Sequence, residues 1–146
     1  MDSISNEVLF FPRGIPGFES EQHLRLIQEQ GAPLAQLLSE REVNLGFALV
    51  RAQVFFPDYL ETIEIEEEAT ALLKAQNDQS IEVWAILTLN KEDIEKTMVN
   101  LKAPILINRT AKIGVQFILT EENYLARTPL FTKGDQSVQA PKGAVG

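Results

Sequence analysis

The most regular hydrophobic alternation in the chain lies at residues 81–89, IEVWAILTL. Every second residue of this stretch is aliphatic, whereas the residues between them mix Trp84 and Ile86 with polar side chains. The same period of two recurs at residues 113–119, IGVQFIL. Because a helix would need a period of about 3.6 residues, both stretches predict β-strands.

Further strand candidates follow one another along the chain. They lie at residues 8–11, 24–28, 45–54 and 103–107, and the stretch 45–54 is apolar on both faces, as a central strand would be. Short strands at near-regular spacing are typical of an antiparallel β-barrel or β-sandwich. The sequence therefore predicts an all-β, mainly antiparallel fold in the form of a small barrel.

One segment departs from the period of two and predicts a short helix near 66–76. Three glutamates open it at residues 66–68 and Lys74 lies near its end, an arrangement that complements the helix dipole. Asn77 is a suitable left-handed stop. A single capped turn is also predicted at residues 90–93, where an asparagine precedes an aspartate by three positions.

Glycine and proline mark the bends of the chain. Residues 13–18, RGIPGF, predict a tight bend with a specified backbone, and its residues are Gly14, Pro16, Gly17 and Phe18. Pro57 cannot donate to a β-ladder, so it predicts a strand end or a sheet edge. The polar composition from Thr132 onward predicts a domain at residues 1–131 and a disordered tail at residues 132–146.

The composition argues against several classes of function. The 146 residues include no cysteine and one histidine, which removes disulfide scaffolds, thiolate metal sites, cysteine nucleophiles and histidine-rich zinc sites. There are 13 basic and 21 acidic residues, and the resulting net charge of −8 disfavours direct binding of nucleic acid. We therefore expect no cofactor, no metal and no nucleic-acid ligand.

Neither secretion nor membrane insertion is indicated. Residues 1–7, MDSISNE, lack the basic and apolar regions of a secretory signal. No apolar stretch reaches the roughly 18 residues that span a bilayer. The expectation is a cytoplasmic protein without a membrane partner.

Acidic residues offer the strongest case for catalysis. A carboxylate pair such as Glu92 and Asp93 could supply an acid and a base for hydrolysis, provided that a cleft separates their pKa values. Their position at a predicted turn favours a solvated surface instead. His23 is the other candidate base, and no Gly-x-Ser-x-Gly motif accompanies it. The residues predict no catalytic site, and an acidic β-barrel hydrolase stays as an alternative.

Phe55, Phe56 and Tyr59 form an aromatic group around Pro57. Three roles are open for this group: packing in the core, anchoring a protein partner, or stacking on nucleic-acid bases. Base stacking normally accompanies a basic groove, which the acidic composition does not provide. Core packing and partner anchoring both remain.

Four sequence blocks follow one another in a specific order. They are residues 11–18 FPRGIPGF, residues 56–59 FPDY, residues 100–108 NLKAPILIN, and a closing block of residues 114–116 GVQ with Tyr124, Arg127 and residues 129–131 PLF. One block alone would be weak evidence. All four at compatible spacings, over about residues 8–131, resemble the flagellar assembly factor FliW family.

The resemblance implies a small antiparallel β-barrel without catalytic activity that binds other proteins in the bacterial cytoplasm. Its implied partners are newly made flagellin and CsrA, a small dimeric RNA-binding repressor of flagellin translation. When flagellin is exported, the free protein captures CsrA away from its RNA-binding surface and relieves repression, which is allosteric antagonism. A flagellin-only export chaperone is the second alternative.

The acidic charge suits a basic partner such as CsrA, and capture of flagellin requires apolar anchors. We therefore predict a partner-binding surface made of the aromatic group and of residues 100–108. Its members are Phe55, Phe56, Pro57, Tyr59, Asn100, Leu101, Pro104 and Asn108. The sequence does not divide these residues between the two partners.

Overall fold

The computed structural model describes residues 4–42, 44–76, 80–120 and 124–131. Within these ranges the strands are β1 (Ile4–Phe10), β2 (His23–Glu29), β3 (Leu34–Ser39), β4 (Gly46–Val50), β5 (Glu82–Thr88), β6 (Met98–Asn108), β7 (Ile113–Gln116) and β8 (Thr128–Pro129). The helices are α1 (Ala52–Phe55), α2 (Tyr59–Thr62) and α3 (Glu67–Leu72), and a 3-10 helix (Ile94–Lys96) lies between β5 and β6.

Strands β1 to β7 close into a barrel. Each of these strands pairs antiparallel with the next one along the chain. β7 then returns to β1 in parallel orientation through a single residue pair, Phe10 and Ile113. β8 pairs with the N-terminal end of β6. This architecture confirms the predicted all-β fold and decides for a barrel over a sandwich.

Alternate residues of the strands fill the interior of the barrel. The fully buried side chains of this interior cluster are Leu9, Leu24, Leu26, Leu37, Leu49, Trp84, Ile105 and Ile107. Phe11 completes the cluster next to Gly114 of β7, where a Cβ atom would lie 2.4 Å from the Phe11 ring. Glycine at position 114 therefore makes room for an aromatic ring inside the barrel.

A second cluster lies on the outer surface of β4 to β7, beneath the helices. Its buried residues include Val50, Val83, Ala85, Leu106 and Val115 from the sheet and Ala52, Tyr59, Ala69 and Leu73 from the helical segments. β5 is consequently buried on both faces, since Val83 and Ala85 belong to this outer cluster and Trp84 to the interior. This double burial explains why residues 81–89 are apolar at most positions.

The outer surface of β1 to β3 is exposed, and we call it the open face. Asn6, His23 and Gln36 are exposed there. Arg25 occupies its centre, where its guanidinium donates to both carboxylate oxygens of Glu40 at 2.9 and 3.0 Å and to the Asn6 side chain at 2.6 Å. The central cation of the open face is therefore paired with neighbours on the same surface.

A charged layer closes one end of the barrel interior. Glu82, on the inward side of β5, lies 3.2 Å from both Arg51 and Arg109, and Arg109 also lies 3.5 Å from Glu7 of β1. The Arg51 guanidinium sits 4.8 Å from the centroid of the Trp84 ring. The layer thus caps the apolar interior and connects strands that are distant in sequence.

The stretch predicted as one strand at residues 45–54 divides into β4 and α1. Val50 pairs with Leu34, the first residue of β3, so a longer β4 would have no neighbour on that side. The chain turns instead and places Ala52 in the outer cluster at the start of α1. Pro57 was predicted at a strand end or sheet edge, and that prediction is wrong, because the chain has left the sheet after Val50 and Pro57 lies between α1 and α2.

The predicted helix near 66–76 is present as the shorter α3. It stops because Lys74 adopts a left-handed conformation with a φ of 56°. The predicted stop at Asn77 and the predicted tail at residues 132–146 lie outside the described residues. The structure adds β3, α2 and β8, for which the sequence made no prediction, and it has α1 where the end of the strand at residues 45–54 was predicted.

Candidate partner-binding surface

The three short helices form a layer over the outer cluster, which we call the helical cover (residues 52–73). α1 ends before Pro57 because a proline disfavours helical backbone in the residue before it, and Phe56 accordingly has a φ of −130° and a ψ of 80°. α3 begins after Glu66, and the acidic residues of its first turn complement the positive end of the helix. The sequence therefore builds this layer from helices too short to be stable alone.

Two buried side chains attach the helical cover to the barrel wall. Tyr59 is 1% exposed, its hydroxyl donates to the Leu101 carbonyl of β6 at 2.6 Å, and its ring meets the Tyr124 ring edge-on at 5.0 Å between centroids. The amide of Asn108 donates to the Leu73 carbonyl at 2.9 Å. The side chains of both predicted site residues therefore point into the protein and connect the helical cover to β6.

The other predicted residues of β6 also have structural positions. Asn100 is half-buried, and its side-chain oxygen accepts the main-chain N–H groups of Lys102 and Ala103, both at 3.0 Å. This local bond lies where the pairing of β6 with β5 shifts in register. Leu101 and Pro104 are buried. Leu101 belongs to the outer cluster, and the burial of both residues removes them from the accessible surface.

Phe55 and Pro57 are the predicted site residues that lie exposed, and Phe56 is half-buried. The Phe55 ring meets the ring of Phe131 edge-on at 6.3 Å between centroids, and Phe131 is exposed as well. We call Phe55, Pro57 and Phe131 the aromatic patch. Sequence reasoning did not assign Phe131 to the site, although it belongs to the quoted block at residues 129–131.

The helical cover holds most of the excess negative charge. Residues 52–73 contain six acidic side chains and neither lysine nor arginine, which leaves 15 acidic against 13 basic residues elsewhere in the chain. The six are Asp58, Glu61, Glu64, Glu66, Glu67 and Glu68, and all are exposed. Arg13, from the bend at residues 13–18, pairs with Glu68. The helical cover therefore presents a negative surface that includes part of the aromatic patch.

The bend at residues 13–18 lies beside the helical cover. Gly14 and Gly17 both have positive φ, 63° and 91°, which side chains other than glycine rarely adopt. The N–H of Phe18 donates to the Ile15 carbonyl at 2.6 Å, and these two residues form an antiparallel bridge. Pro16 lies exposed at the tip. The two glycines thus supply backbone geometry that brings Arg13 toward α3.

The residues considered for hydrolysis lie apart from this surface. Glu92 and Asp93 are exposed, and both donate their main-chain N–H groups to the Asn90 side chain at 3.0 Å. The bonds to Asn90 form the capped turn predicted at residues 90–93, and the Asp93 carboxylate accepts the Glu95 N–H at 3.1 Å and caps the 3-10 helix that follows. His23 is exposed on the open face. These contacts are those of a solvated turn.

Clusters of metal ligands and membrane-spanning helices are both absent from the part of the chain that the structure describes. Across residues 4–42, 44–76, 80–120 and 124–131, no three histidine, aspartate or glutamate side chains converge as metal ligands. None of the helices in these ranges is long and apolar enough to cross a membrane.

Comparison with known proteins identifies the family. The family model of the FliW protein matches residues 1–130. The flagellar assembly factor FliW of Caldanaerobacter subterraneus subsp. tengcongensis is 36% identical over 126 residues, covering 85% of this chain and 82% of that protein. The FliW of Bacillus subtilis is 34% identical over 131 residues, covering 89% and 90%. A crystal structure of the flagellar assembly factor FliW superposes with a TM-score of 0.79 at 33% identity, covering 87% of each chain. The chain therefore belongs to the FliW family.

Proposed function

We propose that this protein is a cytoplasmic flagellar assembly factor that acts by binding and not by catalysis. It binds newly made flagellin and, when flagellin is exported, binds the translational repressor CsrA and allosterically antagonises the binding of CsrA to flagellin mRNA. Membership of the FliW family supports the flagellar role. The observation that supports a basic partner is the excess of acidic residues in the helical cover, where residues 52–73 include six exposed carboxylates and neither lysine nor arginine.

Charge would contribute to antagonism in two steps. First, an acidic surface accelerates the arrival of a basic partner and orients the encounter. Second, carboxylates held next to bound CsrA repel RNA phosphates, so the affinity of CsrA for RNA falls although its RNA site stays empty. Because coupling between two ligands is reciprocal, RNA would weaken the binding of this protein to CsrA by the same factor.

The aromatic patch supports the capture of flagellin. Phe55 and Phe131 are exposed and hold one another edge-on, so they offer a large apolar anchor that loses little side-chain freedom on binding. Phe55 and Pro57 belong to the same short segment as the six carboxylates. Flagellin and CsrA would therefore meet neighbouring parts of one surface and compete for it.

A competition experiment tests this function. Purified flagellin and CsrA from the same organism are titrated separately into the protein by isothermal calorimetry, and then CsrA is titrated into the preformed flagellin complex. We expect micromolar or tighter binding of each partner and weaker apparent binding of CsrA when flagellin is present. Binding of flagellin alone would establish the export chaperone instead, and binding of neither partner would overturn the proposal.

A pair of charge variants tests the role of the helical cover. Glu61→Lys with Glu67→Lys changes the cover, and Glu29→Lys with Glu92→Lys makes the same change in net charge elsewhere. At ~0.05 M salt we expect the first pair to slow association with CsrA by roughly 10-fold and the second pair by much less. The difference should disappear near ~0.5 M salt. Equal slowing by both pairs would assign the effect to net charge and not to the helical cover.

A further inference from the structure

A groove lies between the helical cover and the outward side of β5. It encloses about 330 Å³ and is lined by Leu60, Ile63, Glu64, Ile65, Ile81 and Val83. Ile81 and Val83 are buried and form its floor, whereas Leu60 of α2 is 41% exposed at its edge. Its volume is near the lower limit of ligand sites, about 300 Å³, so it suits one or two side chains of a partner better than a cofactor.

The alternating sequence of residues 63–66, IEIE, builds one wall of this groove. Ile63 and Glu66 both have extended backbone, with ψ of 151° and 155°. In extended backbone, successive side chains point to opposite sides. Ile63 and Ile65 accordingly pack against the outer cluster, and the two glutamates are exposed. The residues that line the groove are therefore aliphatic except for Glu64, while polar atoms, including those of the main chain, provide the larger part of its accessible surface.

We propose that this groove binds a basic segment of a partner protein, in which an aliphatic side chain is flanked by lysine or arginine residues. The inference rests on the proposed function, because it gives the basic partner an anchoring point on the helical cover. The aliphatic side chain enters between Leu60 and the floor of β5. The flanking cations lie over Glu61 and Glu64.

Charge selects this occupant over other amphipathic segments. An aliphatic groove alone would accept an apolar side chain from any partner. The six carboxylates of the helical cover, with no basic residue among residues 52–73, penalise an acidic segment and favour a basic one. The apolar contact would set how slowly the complex dissociates, and the charges would set how rapidly it forms.

Labelled synthetic peptides test the chemistry of the occupant directly. The first is an amphipathic peptide of lysine and leucine, the second has serine in place of each leucine, and the third has glutamate in place of each lysine. By fluorescence anisotropy we expect the first peptide to bind at least ~10-fold more tightly than either of the others, since burying one leucine accounts for about that factor. Equal binding of the serine peptide would overturn the proposal, because charge alone would then suffice.

Two matched variants test whether the peptide binds in the groove. Leu60→Arg adds a cation at its edge, and Ile94→Arg makes the same kind of change at a residue that is 58% exposed in the 3-10 helix, outside the helical cover. We expect Leu60→Arg to weaken the lysine–leucine peptide by ~10-fold or more and Ile94→Arg to change it less than ~2-fold. Glu64→Gln, which keeps the shape of the groove, should weaken it by roughly 3-fold. Unchanged binding by Leu60→Arg would overturn the proposal.

Titration of CsrA and of flagellin into the same variants separates this inference from the proposed function. If Leu60→Arg loses CsrA binding and retains flagellin binding, the result supports both the proposal for the groove and the proposed function. If Leu60→Arg binds CsrA as tightly as the unaltered protein, the proposal for the groove is overturned and the proposed function stays intact. The same conclusion follows if Leu60→Arg loses only flagellin binding. If the unaltered protein does not bind CsrA, the assignment of CsrA fails and the peptide measurements still decide whether the groove takes a basic segment.

Discussion

The open face and the helical cover occupy different parts of the outer surface of one barrel, over β1 to β3 and over β4 to β7 respectively, and their charged residues are arranged differently. On the open face, Arg25 is bonded to Glu40 and Asn6, so its charge is balanced within the surface. On the other side, the sheet is apolar on both faces and the helices carry carboxylates without basic neighbours among residues 52–73. The central cation of the open face is paired within that face, whereas the helical cover contains six carboxylates and no basic residue of its own, and Glu68 pairs with Arg13 from outside the cover.

The largest expected effect contrasts two leucines on the two sides. Leu73, the last residue of the helical cover, is fully buried against the outer cluster, and Leu34 on the open face is 52% exposed. We expect Leu73→Ala to lower the free energy of unfolding by about 2–5 kcal/mol, because it leaves a cavity. Leu34→Ala should change it by less than about 0.5 kcal/mol. Urea denaturation followed by circular dichroism measures both, and similar losses would contradict the asymmetry between the two sides.

The next largest effect compares two glycines with positive φ, one beside the helical cover and one between β2 and β3. A Cβ atom at Gly14, beside the helical cover, would lie 2.5 Å from the Glu19 carbonyl oxygen, whereas nothing lies within 4 Å at Gly31, between β2 and β3. Gly31→Ala should cost about 1 kcal/mol from its backbone conformation alone. We expect Gly14→Ala to cost at least ~1 kcal/mol more, measured by the same denaturation. Equal costs would mean that the bend relaxes around a new side chain.

Tyr59→Phe tests the attachment of the helical cover to the wall. The variant keeps the ring but leaves the Leu101 carbonyl without its hydroxyl donor. We expect a loss of about 1–2 kcal/mol in the free energy of unfolding and faster amide exchange in α2 and α3 than in β1 to β3. Uniformly faster exchange would show that the bond stabilises the whole barrel and not the cover in particular.

The smallest effect concerns pH on the open face. The hydrogen bonds from Arg25 hold the pKa of the Glu40 carboxyl below its ordinary value. Since the pKa is lower in the folded than in the unfolded state, the stabilisation is present above the unfolded pKa and is lost as the pH falls through the folded pKa. In Arg25→Gln, NMR titration should show a higher midpoint for Glu40. An unchanged midpoint would mean that the pair is not formed in solution.

The period of two predicted the barrel because successive side chains of a strand alternate between the interior of the barrel and its outer surface. Val83, Trp84 and Ala85 illustrate the rule, since successive residues enter different clusters. β3 was not predicted, because Leu34 and Leu38 on its outward side obscure the alternation. α1 and α2 depend on where the neighbouring strands end, which local sequence does not contain.

Several predicted site residues are buried, and the sequence could not show this for a similar reason. The partner of the Tyr59 hydroxyl lies 42 residues away, and that of the Asn108 amide 35 residues away, so no local pattern shows that these side chains are structural. The charge asymmetry, by contrast, is contained in the sequence of residues 52–73. The fold adds the information that this segment forms a continuous layer on one side of the barrel.

The junction of β1 with β7 gives the barrel a preferred place to open. β1 shares seven residue pairs with β2 but only Phe10 with β7, where its N–H donates to the Lys112 carbonyl at 2.8 Å. Beyond that point the two sides are bridged by the side chains of Arg109 and Lys112, which lie 3.5 and 3.3 Å from the Glu7 carboxylate. We therefore expect thermal opening of the barrel to begin with the separation of β1 from β7. This opening would break the ion pairs of Glu7 with Arg109 and Lys112 and would leave the helices on the opposite side in place.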